Sequence, residues 1–161
     1  RSAMDLVGPG PLKPHFIDAA GAVDGLNAQG RWADLGSGAG FPGISLAARH
    51  PDAEVLLVES RQKRVVFLSQ VVAAAGLTNA TVLRQRTEHL DGGLDGVISR
   101  AYKPPLRYLD DAMRLLKPGG LAVLMLGDGA DVPLPAGWER VERKRYAVPD
   151  GWRERLVLRK Q

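Results

Sequence analysis

Residues 34 to 43 read Asp-Leu-Gly-Ser-Gly-Ala-Gly-Phe-Pro-Gly and follow the apolar pair Trp32-Ala33. A strand that breaks into glycines and reopens as a helix is the unit of an open α/β sheet. Glycine has no Cβ and tolerates positive φ, so backbone N–H groups in such a loop can approach a ligand at the helix N-terminus. The repeats downstream agree. Val55-Leu56-Leu57-Val58 is a continuous apolar run, as a parallel strand covered on both faces requires. Arg61 to Ala75 carries Phe67, Leu68, Val71, Val72 and Ala75 at helical spacing, and Gly76 caps it. Strands are predicted at Arg31 to Leu35, Thr81 to Arg84, Asp95 to Arg100 and Leu121 to Leu126.

Further helices are predicted from Pro14 to Gly30, with Phe16, Ile17, Ala20 and Val23 on one side, over Gly43 to Arg49 with Ile44 and Ala47-Ala48 inward, and over Pro105 to Leu116. The last stops at Lys117-Pro118-Gly119-Gly120. Alternating strands and helices imply a mostly parallel sheet with right-handed crossovers. The tail departs from this pattern. Two strand-like runs, Trp138 to Val148 and Arg153 to Arg159, flank Pro149-Asp150-Gly151 and form an antiparallel hairpin. One domain is expected over 1–161, with a helical lead-in at 1–30 and the hairpin at 137–161.

The loop leaves two nucleotide-type cofactors in play. Gly38-Ala39-Gly40-Phe41-Pro42-Gly43 fits the dinucleotide spacing, a weak match among 19 glycines. A dinucleotide brings a doubly charged pyrophosphate, which Asp34 would repel. S-adenosylmethionine brings an ammonium and a sulfonium, which Asp34 would attract. The pattern Asp34-x-Gly36-x-Gly38-x-Gly40 thus favours the methyl donor over an NAD-dependent oxidoreductase. Glu59, at the end of the next strand, suits the two ribose hydroxyls of an adenosine in either ligand.

Charge points to the partner. Residues 1–100 are neutral and residues 101–161 carry the whole +4, which suggests an anionic partner, nucleic acid first, or a solvated surface. Arg140, Arg143, Lys144, Arg145, Arg153, Arg155, Arg159 and Lys160 interleave with Trp138, Tyr146 and Trp152, as in a single-strand binding groove or a charged edge hairpin. Arg61, Lys63 and Arg64 crowd a helix start, which hints at a phosphate nearby unless Lys63 and Arg64 are solvated or paired to Glu59. His15, His50 and His89 have no metal-ligand spacing, and no metal is expected. The absence of cysteine excludes disulfides and a thiolate nucleophile. No run is long and apolar enough to span a bilayer and none reads as a signal peptide; a cytoplasmic location and a monomeric protein are the expectations.

The glycine run with Phe-Pro-Gly-Ile, Val-Glu-Ser-Arg-Gln-Lys-Arg-Val-Val-Phe-Leu at 58–68, Arg86-Thr87-Glu88 and Ser99-Arg100-Ala101-Tyr102 strongly resembles the glucose-inhibited-division-B family. Met4 to Gly8 and His15-Phe-Ile-Asp18 also resemble that family's start. The resemblance covers about residues 4 to 126; the family's helical N-terminal extension is not among the 161 residues. It implies a class I methyltransferase Rossmann-like fold with a seven-stranded sheet. It implies methyl transfer from S-adenosylmethionine to N7 of a guanine in small-subunit (16S) rRNA, free or in the ribosomal subunit. Gly36 and Phe41 become cofactor contacts, Thr87 and Glu88 flank the adenine, and Arg100 becomes a cofactor or active-site contact with Arg86 nearby. Thr87 stands where the family often has Ala or Val.

Guanine N7 carries a lone pair and no proton, so its methylation needs orientation and not a base. Arg100 or Arg86 could hold O6 and leave N7 free, or each could serve a salt bridge. A non-catalytic RNA-binding or assembly factor and a small-molecule or protein methyltransferase are the other readings of the same fold.

Overall fold

The computed structural model describes residues 13–100 and 102–161, with side chains from 17 onward. Residues 1–12, with the Met4 to Gly8 match, the side chains of His15 and Phe16, and Ala101 lie outside the described residues.

The chain order is α1 (Lys13–Val23), β1 (Gly30–Leu35), α2 (Gly43–Arg49), β2 (Ala53–Glu59), α3 (Gln62–Ala74), β3 (Ala80–Arg84), a 3-10 turn (Thr87–His89), β4 (Leu94–Ser99), α4 (Pro105–Leu115), β5 (Leu116–Gly127), β6 (Trp138–Val148) and β7 (Gly151–Lys160). They build one seven-stranded sheet in the order β3-β2-β1-β4-β5-β7-β6. β3, β2, β1, β4 and β5 are mutually parallel; β7 runs antiparallel to β5 and to β6. The chain winds outward from β1 to β3 and then returns to place β4 on β1's other side. The order reverses there, and the crevice at the carboxyl ends of β1 and β4 is where such sheets bind ligands.

Strand alternation fills two cores. Ala33, Leu35, Leu56, Val58 and Val97 pack with Tyr108, Leu109, Ala112 and Leu115 of α4. Trp32, Val55, Leu57 and Ile98 pack on the other face with Val23, Leu46 and Ala47 of α1 and α2. The run Val55 to Val58 is therefore buried on both faces, as expected. The Tyr108 hydroxyl sits 3.0 Å and 2.9 Å from the carbonyl oxygens of Val97 and Val123, across β4 and β5. Ser99 Oγ donates to the Leu35 carbonyl at 2.9 Å, tying the ends of β4 and β1 together.

Several boundaries differ from the sequence expectation. α1 stops at Val23, not near Gly30, because Gly25 adopts φ +70° and the Arg155 guanidinium takes the Ala22 and Asp24 carbonyls. In α2 Ile44 and Ala47 pack inward as expected, joined by Leu46, while Ala48 is exposed. Lys117-Pro118-Gly119-Gly120 bulges out of β5's register between the Leu94–Leu116 and Gly96–Leu121 pairs. α3 ends in a Schellman cap, with Gly76 N–H donating to Ala73 and Leu77 N–H to Val72.

Candidate functional site

Asp34 closes β1 and is 1% exposed. One carboxylate oxygen, Oδ2, accepts from Ser37 Oγ at 2.7 Å and from the Gly43 N–H at 2.9 Å. It thus clasps both ends of the glycine loop from beneath. The other oxygen, Oδ1, is buried without a hydrogen-bond partner among the described residues. Burial pushes the carboxyl up to about 7, against the opposing effects of Ser37, Gly43 and Arg100. The acid expected from sequence to meet a cationic ligand thus holds the loop through one of its two oxygens, and burial favours its protonated form. Gly43 exists for this clasp, since a Cβ there would lie 2.5 Å from Asp34 Oδ2.

Above the loop lies a cleft of about 400 Å³ lined by Gly36, Glu59, Arg86, Thr87 and Glu88, all five singled out from sequence. Gly36 has φ +67°, and a Cβ on it would come within 2.7 Å of the Tyr102 ring. Both the backbone angle and the neighbour require glycine. Glu59 ends β2 and is 6% exposed; its Oε1 has no hydrogen-bond partner among the described residues and lies 3.7 Å from Arg64 Nη1. Gly38 is close to the same guanidinium, with its would-be Cβ 3.6 Å from Arg64 Nη1. Arg61 also lines the cleft, and Lys63 is exposed. The cationic helix start is thus split, with one member neutralising Glu59. Phe41 is half-buried in the loop before α2.

Thr87 is buried, and its carbonyl accepts from Arg114 at 2.7 Å, which pins the turn after β3 to α4. Glu88 is exposed; its own backbone N–H and then Lys103 hold its carboxyl below the usual range.

A second cavity of about 520 Å³ opens beside the first, lined by Arg100, Lys103, Asp18, Met125 and Arg153. Lys103 borders both spaces. It lies 2.8 Å from Asp111 and 3.5 Å from Glu88, and Asp111 above all raises its pKa. The two arginines singled out together thus line different spaces that share Lys103. Arg86 is exposed in the cleft with Glu59, whereas Arg100 faces the second cavity.

Sequence reasoning assigned no role to Tyr102, Lys103 or Asp18. Lys103 follows the Ser99-Arg100 motif directly, but its link to Asp111 needs the turn into α4 that only the fold supplies.

The hairpin is chiefly architectural. Arg155 is 1% exposed; its Nε and Nη2 pair with Glu142 Oε1, each at 2.7 Å. Lys160 Nζ donates to the Met113 and Leu116 carbonyls at the end of α4. Arg143 pairs with Glu154 and Arg145 with Asp128, the latter stacked over Trp152 at 4.3 Å. Trp138 and Tyr146 are core residues; Trp152 is 44% exposed. A row of stacking aromatics in a basic groove is not formed, because Trp138 packs into the core on the α4 side and Tyr146 against Gly21 of α1.

His50 Nε2 lies 3.1 Å from the Val23 carbonyl, a packing contact, and His89 is exposed in the 3-10 turn. Among the described residues no three His, Asp or Glu side chains cluster as a metal site, and no helix is long and apolar enough to cross a membrane.

The fold recurs in solved structures. A SAM-dependent methyltransferase from Aquifex aeolicus superposes with TM-score 0.70 at 15% identity, covering 100% of both chains. The magnesium protoporphyrin IX methyltransferase of Synechocystis, solved with bound SAM, gives 0.68 at 16% identity over 98% of this chain and 89% of the other. At such identities they share the architecture, which is the class I methyltransferase fold. In sequence, the small subunit rRNA methyltransferase G of Acidothermus cellulolyticus is 37% identical over 126 residues, 76% of this chain and 57% of the relative. That of Erythrobacter litoralis is 46% identical over 107 residues, 63% and 52%. That of Azoarcus is 36% identical over 151 residues, 89% and 71%. The chain thus spans little more than half the length of several curated relatives that it matches. The family model of rRNA small subunit methyltransferase G matches residues 11–138, and the chain belongs to that family, GidB.

Proposed function

We propose that this chain transfers a methyl group from S-adenosylmethionine to N7 of a guanine in small-subunit rRNA, in the cytoplasm and as one methyltransferase unit. The observation that carries the cofactor assignment is the buried Glu59 carboxylate, which lines the cleft with Oε1 lacking a hydrogen-bond partner among the described residues. A buried acceptor left unmade costs about 1–3 kcal/mol, and a ribose diol would satisfy it. The residues present therefore fit an adenosine. Glu59 would accept its ribose hydroxyls, the loop at Gly36 and Gly38 would admit it closely beside Phe41, and Thr87 with Glu88 would border its base.

The bound cofactor would supply an electrophilic methyl on a sulfonium. The remaining work is positioning. Asp34 holds the loop shape through Ser37 and Gly43 and is not asked to meet a cation. Asp34 is buried beneath the loop, and membership in the methyltransferase family is what favours the methyl donor over a dinucleotide. Arg100, in the second cavity, is the better of the two arginines for the guanine O6 edge, since Arg86 lines the cofactor cleft. N7 has no proton to lose, so no general base is required of this site, and orientation within a confined cavity supplies the acceleration. Arg100 donating to O6 alone would leave the N7 lone pair exposed.

The test is transfer of labelled methyl to small ribosomal subunits and to naked rRNA from a strain lacking the modification, with the product nucleoside identified. 7-Methylguanosine is expected. A methyl on another atom, or no transfer to either substrate, overturns the proposal.

A further inference from the structure

We propose that Asp18 reads the target guanine, acting opposite Arg100 in the second cavity and held in place by Tyr146; the inference rests on the proposed guanine acceptor. Asp18 lies on α1 and lines the same 520 Å³ cavity as Arg100. Its carboxylate is oriented from outside its own helix. The Tyr146 hydroxyl, on β6, donates to Asp18 Oδ1 at 2.6 Å. Local sequence makes room for this contact. One turn beyond Asp18 stands Gly21, where a Cβ would lie 2.3 Å from the Tyr146 ring. Only a glycine lets the ring lie across α1 and deliver its hydroxyl to Asp18. Burial, then the Asp18 carboxylate, raises the tyrosine's pKa, so the phenol remains a donor. Lys103, Asp150 and Arg153 are the other charged groups lining the cavity.

A cation and a carboxylate facing one base discriminate by hydrogen-bond polarity. The pairing edge of guanine presents an acceptor, O6, beside two donors, N1–H and the N2 amine. Arg100 matches the first and Asp18 the other two. Adenine presents a donor at the corresponding exocyclic position and an acceptor at N1, so both contacts turn repulsive. That edge is occupied in a duplex, so the target must be unpaired or turned out of its helix. Holding the pairing edge leaves N7, on the opposite side of the base, unobstructed.

The experiment compares guanosine with inosine, which lacks only the N2 amine, at the methylated position of an rRNA fragment. Wild type, Asp18→Asn and Tyr146→Phe are each assayed for kcat/KM and for S-adenosylhomocysteine affinity. Wild type is expected to prefer guanosine by roughly tenfold or more. Asp18→Asn should lose that preference with cofactor affinity unchanged. Tyr146→Phe should narrow it without abolishing transfer, and it carries the test should Asp18→Asn not fold. A wild-type preference retained in Asp18→Asn, no preference in wild type, or loss of cofactor binding in a folded Asp18→Asn each overturns the assignment of Asp18. Wild type that binds S-adenosylhomocysteine but methylates neither substrate overturns the rRNA reading itself.

Discussion

Asp34 is a buried acid whose folded pKa is raised, and that has a measurable consequence for stability. Its carboxyl moves from 3.8 to about 7 because burial disfavours the charged form. An acid with a raised folded pKa stabilises the fold fully below its unfolded pKa, and that contribution is lost as pH rises through the folded value. A shift of about 3 units corresponds to roughly 4 kcal/mol over the whole range. Between about pH 5 and about pH 8, the folded state should lose about 2.5 kcal/mol from this group alone. Asp34→Asn keeps the shape and one acceptor for Ser37 or Gly43 but cannot ionise. Its amide will add a fixed offset, which does not depend on pH.

The assay is urea unfolding of both proteins across this range, with the slope m checked for constancy. Every other titrating group is shared and cancels in the difference. Wild type should lose roughly 2–3 kcal/mol relative to Asp34→Asn as pH rises. A difference that stays flat within about 0.5 kcal/mol, or that moves in wild type's favour, would refute the view of Asp34 as a desolvated clasp.

Glu59→Gln retains volume and removes the charge that a ribose diol would meet; S-adenosylhomocysteine affinity should fall roughly ten- to a hundredfold by calorimetry, and a change under about twofold would contradict the cleft assignment. Gly36→Ala places a Cβ 2.7 Å from the Tyr102 ring at φ +67°. It should destabilise by about 1–2 kcal/mol from the backbone alone and weaken cofactor binding at least about tenfold. Arg155→Ala strands two carbonyls at the end of α1 but leaves its partner Glu142 38% exposed. The loss should sit at the low end for a buried ion pair, about 3 kcal/mol, lowering Tm by roughly 6–12 °C and stripping hydrogen-exchange protection from α1. A Tm within about 2 °C of wild type would show that α1 does not depend on this staple.

The parallel strands, α2, the hairpin and several residues of one cleft were legible in the chain because their signals are local. Apolar runs, glycines at required φ and proline starts need no distant partner, and Gly36, Glu59, Thr87 and Glu88 do line one cleft. Long-range consequences were not legible. The same Asp34 that reads as a cation-facing acid becomes a buried clasp because Gly43, nine residues on, returns its N–H to it. Arg155 reads as one more tail cation, and only the docking of β7 beside α1 buries it against Ala22, Asp24 and Glu142. Arg86 and Arg100 read as a pair; strands β3 and β4 carry them to different cavities across the sheet's switch point. Sequence alone determined the order of strands and helices and picked out residues that line one cleft, since periodicity and backbone sterics act over a few residues. Tertiary structure decided which charges are buried, which are paired and which share a cavity, because desolvation and Coulomb energies depend on neighbours that chain order does not specify.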